Sequence, residues 1–156
     1  DAAITIYEFS DYNCGYCKRI FNDLQAVLAE QPDVRLVVKE FPILAETSVL
    51  AAKAAIAAHR QGKFRQFHIS MMTWRGKIDG DAIDAAVQTA GLDKNRLRKD
   101  MEDELTASIL SKTRAAAAAL DIRGTPALII GETIIPGAIS KNEILDLINQ
   151  TRAAKN

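Results

Sequence analysis

Two thiols three positions apart, Cys14 and Cys17, are the residues best suited to chemistry in this 156-residue chain, with Gly15 and Tyr16 between them. Just beyond, Ile20, Phe21, Leu24, Val27 and Leu28 recur at offsets that share one helical face, so the pair is predicted to open a helix. At that position unpaired amides and the helix dipole favour a thiolate on Cys14. Cys17, one turn further, is expected to be more covered and close enough to form a disulfide with Cys14. A lowered thiol pKa makes Cys14 a better leaving group when that disulfide is attacked, and keeps more nucleophile available when it is reduced. The spacing points to thiol–disulfide exchange. A zinc site would need further ligands, but the chain has no other cysteine, and His59 and His68 lie nine apart, outside the usual spacing. An inert structural disulfide over so short a loop would constrain the unfolded chain little. Copper(I), which soft thiolates prefer, is the alternative from another class, a metal-handling protein using the same two sulfurs. Both histidines read as surface or satisfied core residues, and Trp74 as packing.

These thiols need elements to hold them. Ile4 to Phe9, β-branched and aromatic, reads as a buried strand, followed by a polar turn, Ser10-Asp11-Tyr12-Asn13. Gln31-Pro32-Asp33 stops the helix, and Val34 to Phe41 reads as a second strand. Strand, helix and strand in this order predict a βαβ unit with parallel strands. From about Pro42 to Arg123 the texture is helical, with alanines around Ile56, breaks at Gly62 and Gly76, and Asp81 and Asp93 as caps. Leu97, Met101, Leu105 and Ile109 recur every four residues, and Ala115 to Ala119 extend them; three to five helices are expected. Strands return at Ala127–Ile130 and Thr133–Ile135 around a Gly131-Glu132 turn. Ser140-Lys141-Asn142-Glu143 has capping-box spacing for a last helix, with Ile144, Leu145 and Ile148 inward. Thr125-Pro126 begins the third strand, where a missing amide is tolerated.

Composition narrows the function further. Hydrophobic residues make up 48% and charged residues 26%, enough apolar content for a buried core. Lys+Arg and Asp+Glu are both 20, so no basic excess marks a nucleic-acid partner. No apolar run approaches the roughly 18–20 residues that span a bilayer.

The stretches Phe9-Ser10-Asp11-Tyr12-Asn13-Cys14-Gly15-Tyr16-Cys17, Lys39-Glu40-Phe41-Pro42 and Gly124-Thr125-Pro126-Ala127 together resemble the thioredoxin superfamily, and more closely its DsbA-like bacterial branch. The resemblance implies an α/β, thioredoxin-like fold, with β-α-β and β-β-α around a mixed four-stranded sheet. It places the core at 1–41 and 124–156, with an inserted helical domain at 42–123. It implies that Cys14 and Cys17 are catalytic, that Pro126 is cis and packs beside them, and that the Thr125 backbone pairs with a bound polypeptide as an added strand. Glu8, six positions before Cys14, matches the family's buried acid, with a proton-relay role for Cys17 and Lys39 as a weaker partner; otherwise it is an ordinary edge-strand carboxylate. Gly15-Tyr16 departs from the Pro-His of strong oxidases, so the dipeptide tunes the couple toward a less acidic thiol. With threonine before Pro126, it is similar to the disulfide isomerase and reductase pattern. Proteins called copper-sensitivity suppressors or 27-kDa outer-membrane-type proteins fit both departures. The expected activity needs no cofactor. Its partners are polypeptides bearing thiols or disulfides and a membrane redox partner of unknown identity, and the oligomeric state is open. The resemblance implies a periplasmic location. The chain begins almost at its first strand, as expected if a signal peptide or an N-terminal oligomerisation segment has been removed.

Overall fold

A computed structural model describes residues 3–155; Asp1, Ala2 and Asn156, which fall within the expected core boundaries, lie outside the described residues. Strand β1 (Ile4–Ser10) leads into helix α1 (Gly15–Glu30) and strand β2 (Val34–Glu40). Five helices follow: α2 (Glu46–Arg60), α3 (Phe64–Thr73), α4 (Gly80–Ala90), α5 (Lys94–Met101) and α6 (Glu104–Ala119). Strands β3 (Ala127–Ile130) and β4 (Thr133–Pro136) and helix α7 (Lys141–Ala154) complete the order. The sheet runs β2-β1-β3-β4, with β1 parallel to β2 and antiparallel to β3, and β3 antiparallel to β4.

Strand alternation decides what each face of β1 meets. Ile4 and Ile6 point to the face covered by α1 and α7, where they pack with Ile20, Leu24, Val27, Leu128, Ile144 and Ile148. Ile144 and Ile148 are fully buried there, each such burial being worth roughly 1.5–3 kcal/mol. Ser140 and Glu143 close the capping box that starts α7. Phe9 points to the opposite face and packs with Phe41, Ala117, Ile122 and Ala127. In the β3–β4 hairpin Gly131 has φ +61°, and a Cβ there would lie 2.6 Å from Thr151 Oγ1, so both the turn and α7 demand glycine.

Three local expectations need correction. The cap of α4 is Asp79, whose carboxylate accepts from the Ala82 amide; Asp81 lies inside the first turn. The four-residue apolar run from Leu97 is broken after Met101, because Asp103 caps a new helix through the Leu105 amide. Leu105 is therefore turned outward and is 51% exposed. The segment Ser10-Asp11-Tyr12, read as a polar turn, is buried: Ser10 ends β1, and Asp11 and Tyr12 are covered by the helical block. The helical block's apolar core runs on without interruption into Tyr12, Cys14, Cys17 and Phe21, so the thiols sit where that block meets the sheet.

Candidate active site

Cys14 is the N-cap of α1, with extended backbone at φ −83° and ψ 113°. Its Sγ accepts from the Cys17 amide at 3.2 Å and lies 3.4 Å from the carbonyl oxygen of Thr125, to which the thiol donates. Hydrogen bonding from the Cys17 thiol does most to pull the Cys14 pKa down to about 6, against partial desolvation; the Thr125 side chain and the Cys17 and Tyr16 amides add to it. The Cys17 thiol is pushed in the opposite direction, chiefly by that same bond to Cys14 and by burial. Cys14 is 5% exposed and Cys17 not at all, so of the two residues only Cys14 reaches the surface, through a small opening. Both thiols are free.

Around that opening, Gly15 is exposed and a Cβ on it would meet nothing within 4 Å. Tyr16 is 61% exposed, with the Arg19 guanidinium 4.8 Å above its ring. The Thr125–Pro126 bond is cis, Pro126 is buried, and both residues border a groove of about 280 Å³ that runs along the β3–β4 hairpin. Thr125 and Cys14 are thus neighbours although 111 positions separate them.

Glu8 lies on the face of β1 that α1 covers, in a strand with neighbours on both sides, so it is no edge-strand carboxylate. It is 1% exposed. Burial raises its pKa to about 7; the Ser10 hydroxyl lowers it in part, and charge on Cys14 raises it again. Lys39 is not its partner: in register it sits beside Phe9, and paired residues of neighbouring strands point to one face, which here is the face opposite Glu8.

Glu40 occupies Glu8's side instead, beside Ser10. The Tyr12 hydroxyl donates to Glu40 Oε1 at 3.2 Å and lies 2.8 Å from His68 Nδ1 on α3. His68 Nε2, on the far side of that ring, has no hydrogen-bond partner. Burial lowers the His68 pKa to about 4, in keeping with a neutral ring. Burial likewise raises Glu40 and Tyr12, each further raised by the charge on Glu8. His68 is buried as expected of a core histidine, but only half satisfied. His59 is exposed.

Asp11 and Asn13 anchor the site from the other side. Asp11 Oδ1 accepts from the Asn13 amide at 2.8 Å, and Oδ2 from the Ile43 and Leu44 amides at 2.9 and 3.0 Å. Asn13 Nδ2 donates to the hydroxyls of Thr47 and Ser48, binding the start of α2. The sequence singles out none of Asp11, Tyr12, Asn13 and Glu40 individually, and it marks His68 only as a surface or core histidine. Aspartate two before asparagine in a turn was a readable signal for Asp11, whereas the Tyr12–His68 contact spans 56 positions and has no local signature. Among the described residues no group of three or more His, Cys, Asp or Glu side chains is arranged to hold a metal ion, and no helix is long and apolar enough to cross a membrane.

The fold recurs in known proteins. A thioredoxin-like oxidoreductase from Silicibacter pomeroyi is 35% identical and superposes with a TM-score of 0.94 over 97% of this chain and 88% of its own. A periplasmic thioredoxin-like protein from Salmonella enterica serovar Typhimurium is 32% identical, with a TM-score of 0.88 over 96% of this chain and 84% of its own. The catalytic domain of Proteus mirabilis ScsC is 28% identical, with a TM-score of 0.88 over 98% and 85%. Curated relatives include a Na(+)/H(+) antiporter of Salinispora tropica, 25% identical over 83% of this chain; the chain spans only 20% of that protein's length. The fold is thioredoxin-like, and the family profile of the DSBA-like thioredoxin domain matches residues 5–149. By that match this chain belongs to the DSBA-like thioredoxin domain family.

Proposed function

We propose that this protein forms, reduces or isomerises disulfides in exported polypeptides through Cys14 and Cys17. The observation that carries this reading is the Cys14 sulfur, placed at a helix N-terminus with an amide and a thiol aimed at it and with Thr125 beside it. Attacked as a disulfide, Cys14 takes the incoming substrate thiolate and Cys17 leaves; a second substrate thiol then releases reduced Cys14. Run the other way, the Cys14 thiolate attacks a substrate disulfide, and Cys17 or another substrate thiol resolves the mixed disulfide. Glu8 takes the proton from Cys17 or returns it, because a carboxyl with pKa about 7 exchanges protons in both directions near neutrality. Gly15 and Tyr16 tune the couple. Thr125 and Pro126 hold the substrate backbone against the adjoining groove. The DsbA-like resemblance and the likeness to a periplasmic protein support a periplasmic location, with a membrane partner resetting the thiols.

The test is the redox potential of the Cys14/Cys17 couple together with activity on scrambled ribonuclease. Exchange with a peptide disulfide is expected, and the potential assigns its direction: a strongly oxidising couple without reshuffling makes the protein an oxidase, and reshuffling makes it an isomerase. Stoichiometric, tight copper(I) binding by the reduced protein with no exchange would overturn the proposal in favour of metal handling.

A further inference from the structure

Two buried polar atoms on β1 have no hydrogen-bond partner, Glu8 Oε1 and Ser10 Oγ. Each residue is 1% exposed. An unsatisfied buried polar group costs about 1–3 kcal/mol, so a pair of them in one place asks for a reason. Glu8 and Ser10 are two apart on β1 and therefore share a face, the face on which α1 packs with Cys17 wholly enclosed.

We propose that the Ser10 hydroxyl carries the proton between the Cys17 thiol and the Glu8 carboxyl. This deepens the exchange reading and rests on it. The Ser10 hydroxyl is close enough to favour the charged form of Glu8 and the charged form of Cys17 alike, yet as the side chain stands it completes a hydrogen bond to neither. A χ1 rotation between staggered wells moves the hydroxyl without moving the strand. In the resolving step Cys17 passes its proton to Ser10 Oγ as Ser10 passes its own to Glu8 Oε1. The Cys17 thiolate attacks Cys14 Sγ, the bond from Cys14 to the substrate sulfur breaks, and the substrate leaves as a thiolate with that electron pair. In the oxidising direction the same atoms run backward, and Ser10 delivers Glu8's proton to the departing Cys17. Among the described residues, the other titratable groups near this side are Asp11, Tyr12 and Cys14 ahead of α1, Glu40 on β2 and His68 on α3. Leu128 of β3 and Ile144 and Ile148 of α7 bring only apolar surface. The one other hydroxyl among these groups, that of Tyr12, is engaged by Glu40 and His68 instead.

Mixing reduced protein with an aromatic disulfide reagent releases one coloured thiolate when Cys14 attacks and a second when Cys17 resolves. Ser10→Ala is expected to leave the first phase and its pH profile unchanged. The second should slow tenfold or more, toward the roughly 10²–10⁴-fold contribution of a positioned proton-transfer group. Ser10→Thr, which restores a hydroxyl, should recover the second phase. An unchanged second phase in Ser10→Ala, or equal slowing of both phases, would overturn the assignment. Should the variant fold poorly, a proton inventory of the second phase in wild-type protein decides: curvature from two protons in flight is expected, and a straight line refutes the relay. Absence of even the first phase would instead overturn the exchange reading itself.

Discussion

Removing the Cys17 thiol should raise the Cys14 pKa, and the structure sets by how much. The largest contribution holding Cys14 at about 6 is the hydrogen bond from the Cys17 thiol; the Cys17 and Tyr16 amides and Thr125 remain when it is gone. A hydrogen bond to a charged group is worth about 1.5–3 kcal/mol, or about 1–2 pKa units. Cys14 in Cys17→Ala should therefore titrate at about 7–8. At pH 6 its thiolate fraction should fall from about one half to between about one tenth and one hundredth. Cys17→Ser keeps a donor at the same place and should stay close to the wild-type value. Thiolate ultraviolet absorbance against pH gives each value, and alkylation rates at pH 6 should drop about five- to fiftyfold in Cys17→Ala alone. If Cys17→Ala still titrates near 6, the helix N-terminus and its amides suffice and the thiol–thiol bond is irrelevant. If Cys17→Ser rises as far as Cys17→Ala, the effect is not hydrogen bonding.

Glu8→Gln should stabilise the protein, but only at high pH. The folded pKa of about 7 lies above the ordinary 4.5, so Glu8's contribution to stability is full below pH 4.5 and lost as the pH climbs through 7. The variant should gain up to about 3 kcal/mol at pH 8 and nothing at pH 4, read from thermal unfolding at the two values; a gain independent of pH would contradict the buried-charge account. Asp11→Ala should lower stability by about 3 kcal/mol, because three amides lose one buried acceptor, and should loosen the Ile43–Leu44 segment in hydrogen exchange. A denaturation midpoint equal to wild type would mean that water replaces the carboxylate there.

The elements that hold the thiols were readable because their determinants are local. The apolar face of α1, the proline stop after it, the Gly131 turn and the Ser140 capping box each depend on residues within a few positions, and all recur in the structure. The Asp81 cap and the Leu97–Ile109 run failed for the same kind of reason. Two aspartates competed for one cap, and apolar spacing alone does not reveal that Asp103 starts a new helix. Lys39 was misplaced because composition around a strand says what is apolar without saying which face each residue takes once β2 pairs with β1.

By itself the sequence determined the reactive pair, the helix that opens at it and the strand that carries Glu8 ahead of it, since each follows from backbone periodicity and chain-neighbour chemistry. Only the tertiary structure decided what surrounds them. Thr125 meets Cys14 across 111 positions, Glu40 and not Lys39 shares the face of Glu8, and Tyr12 reaches His68 in the helical block. The physical reason is that the ionisation of a buried group answers to desolvation and to neighbours within a few ångströms, and those neighbours are chosen by packing, not by their order along the chain.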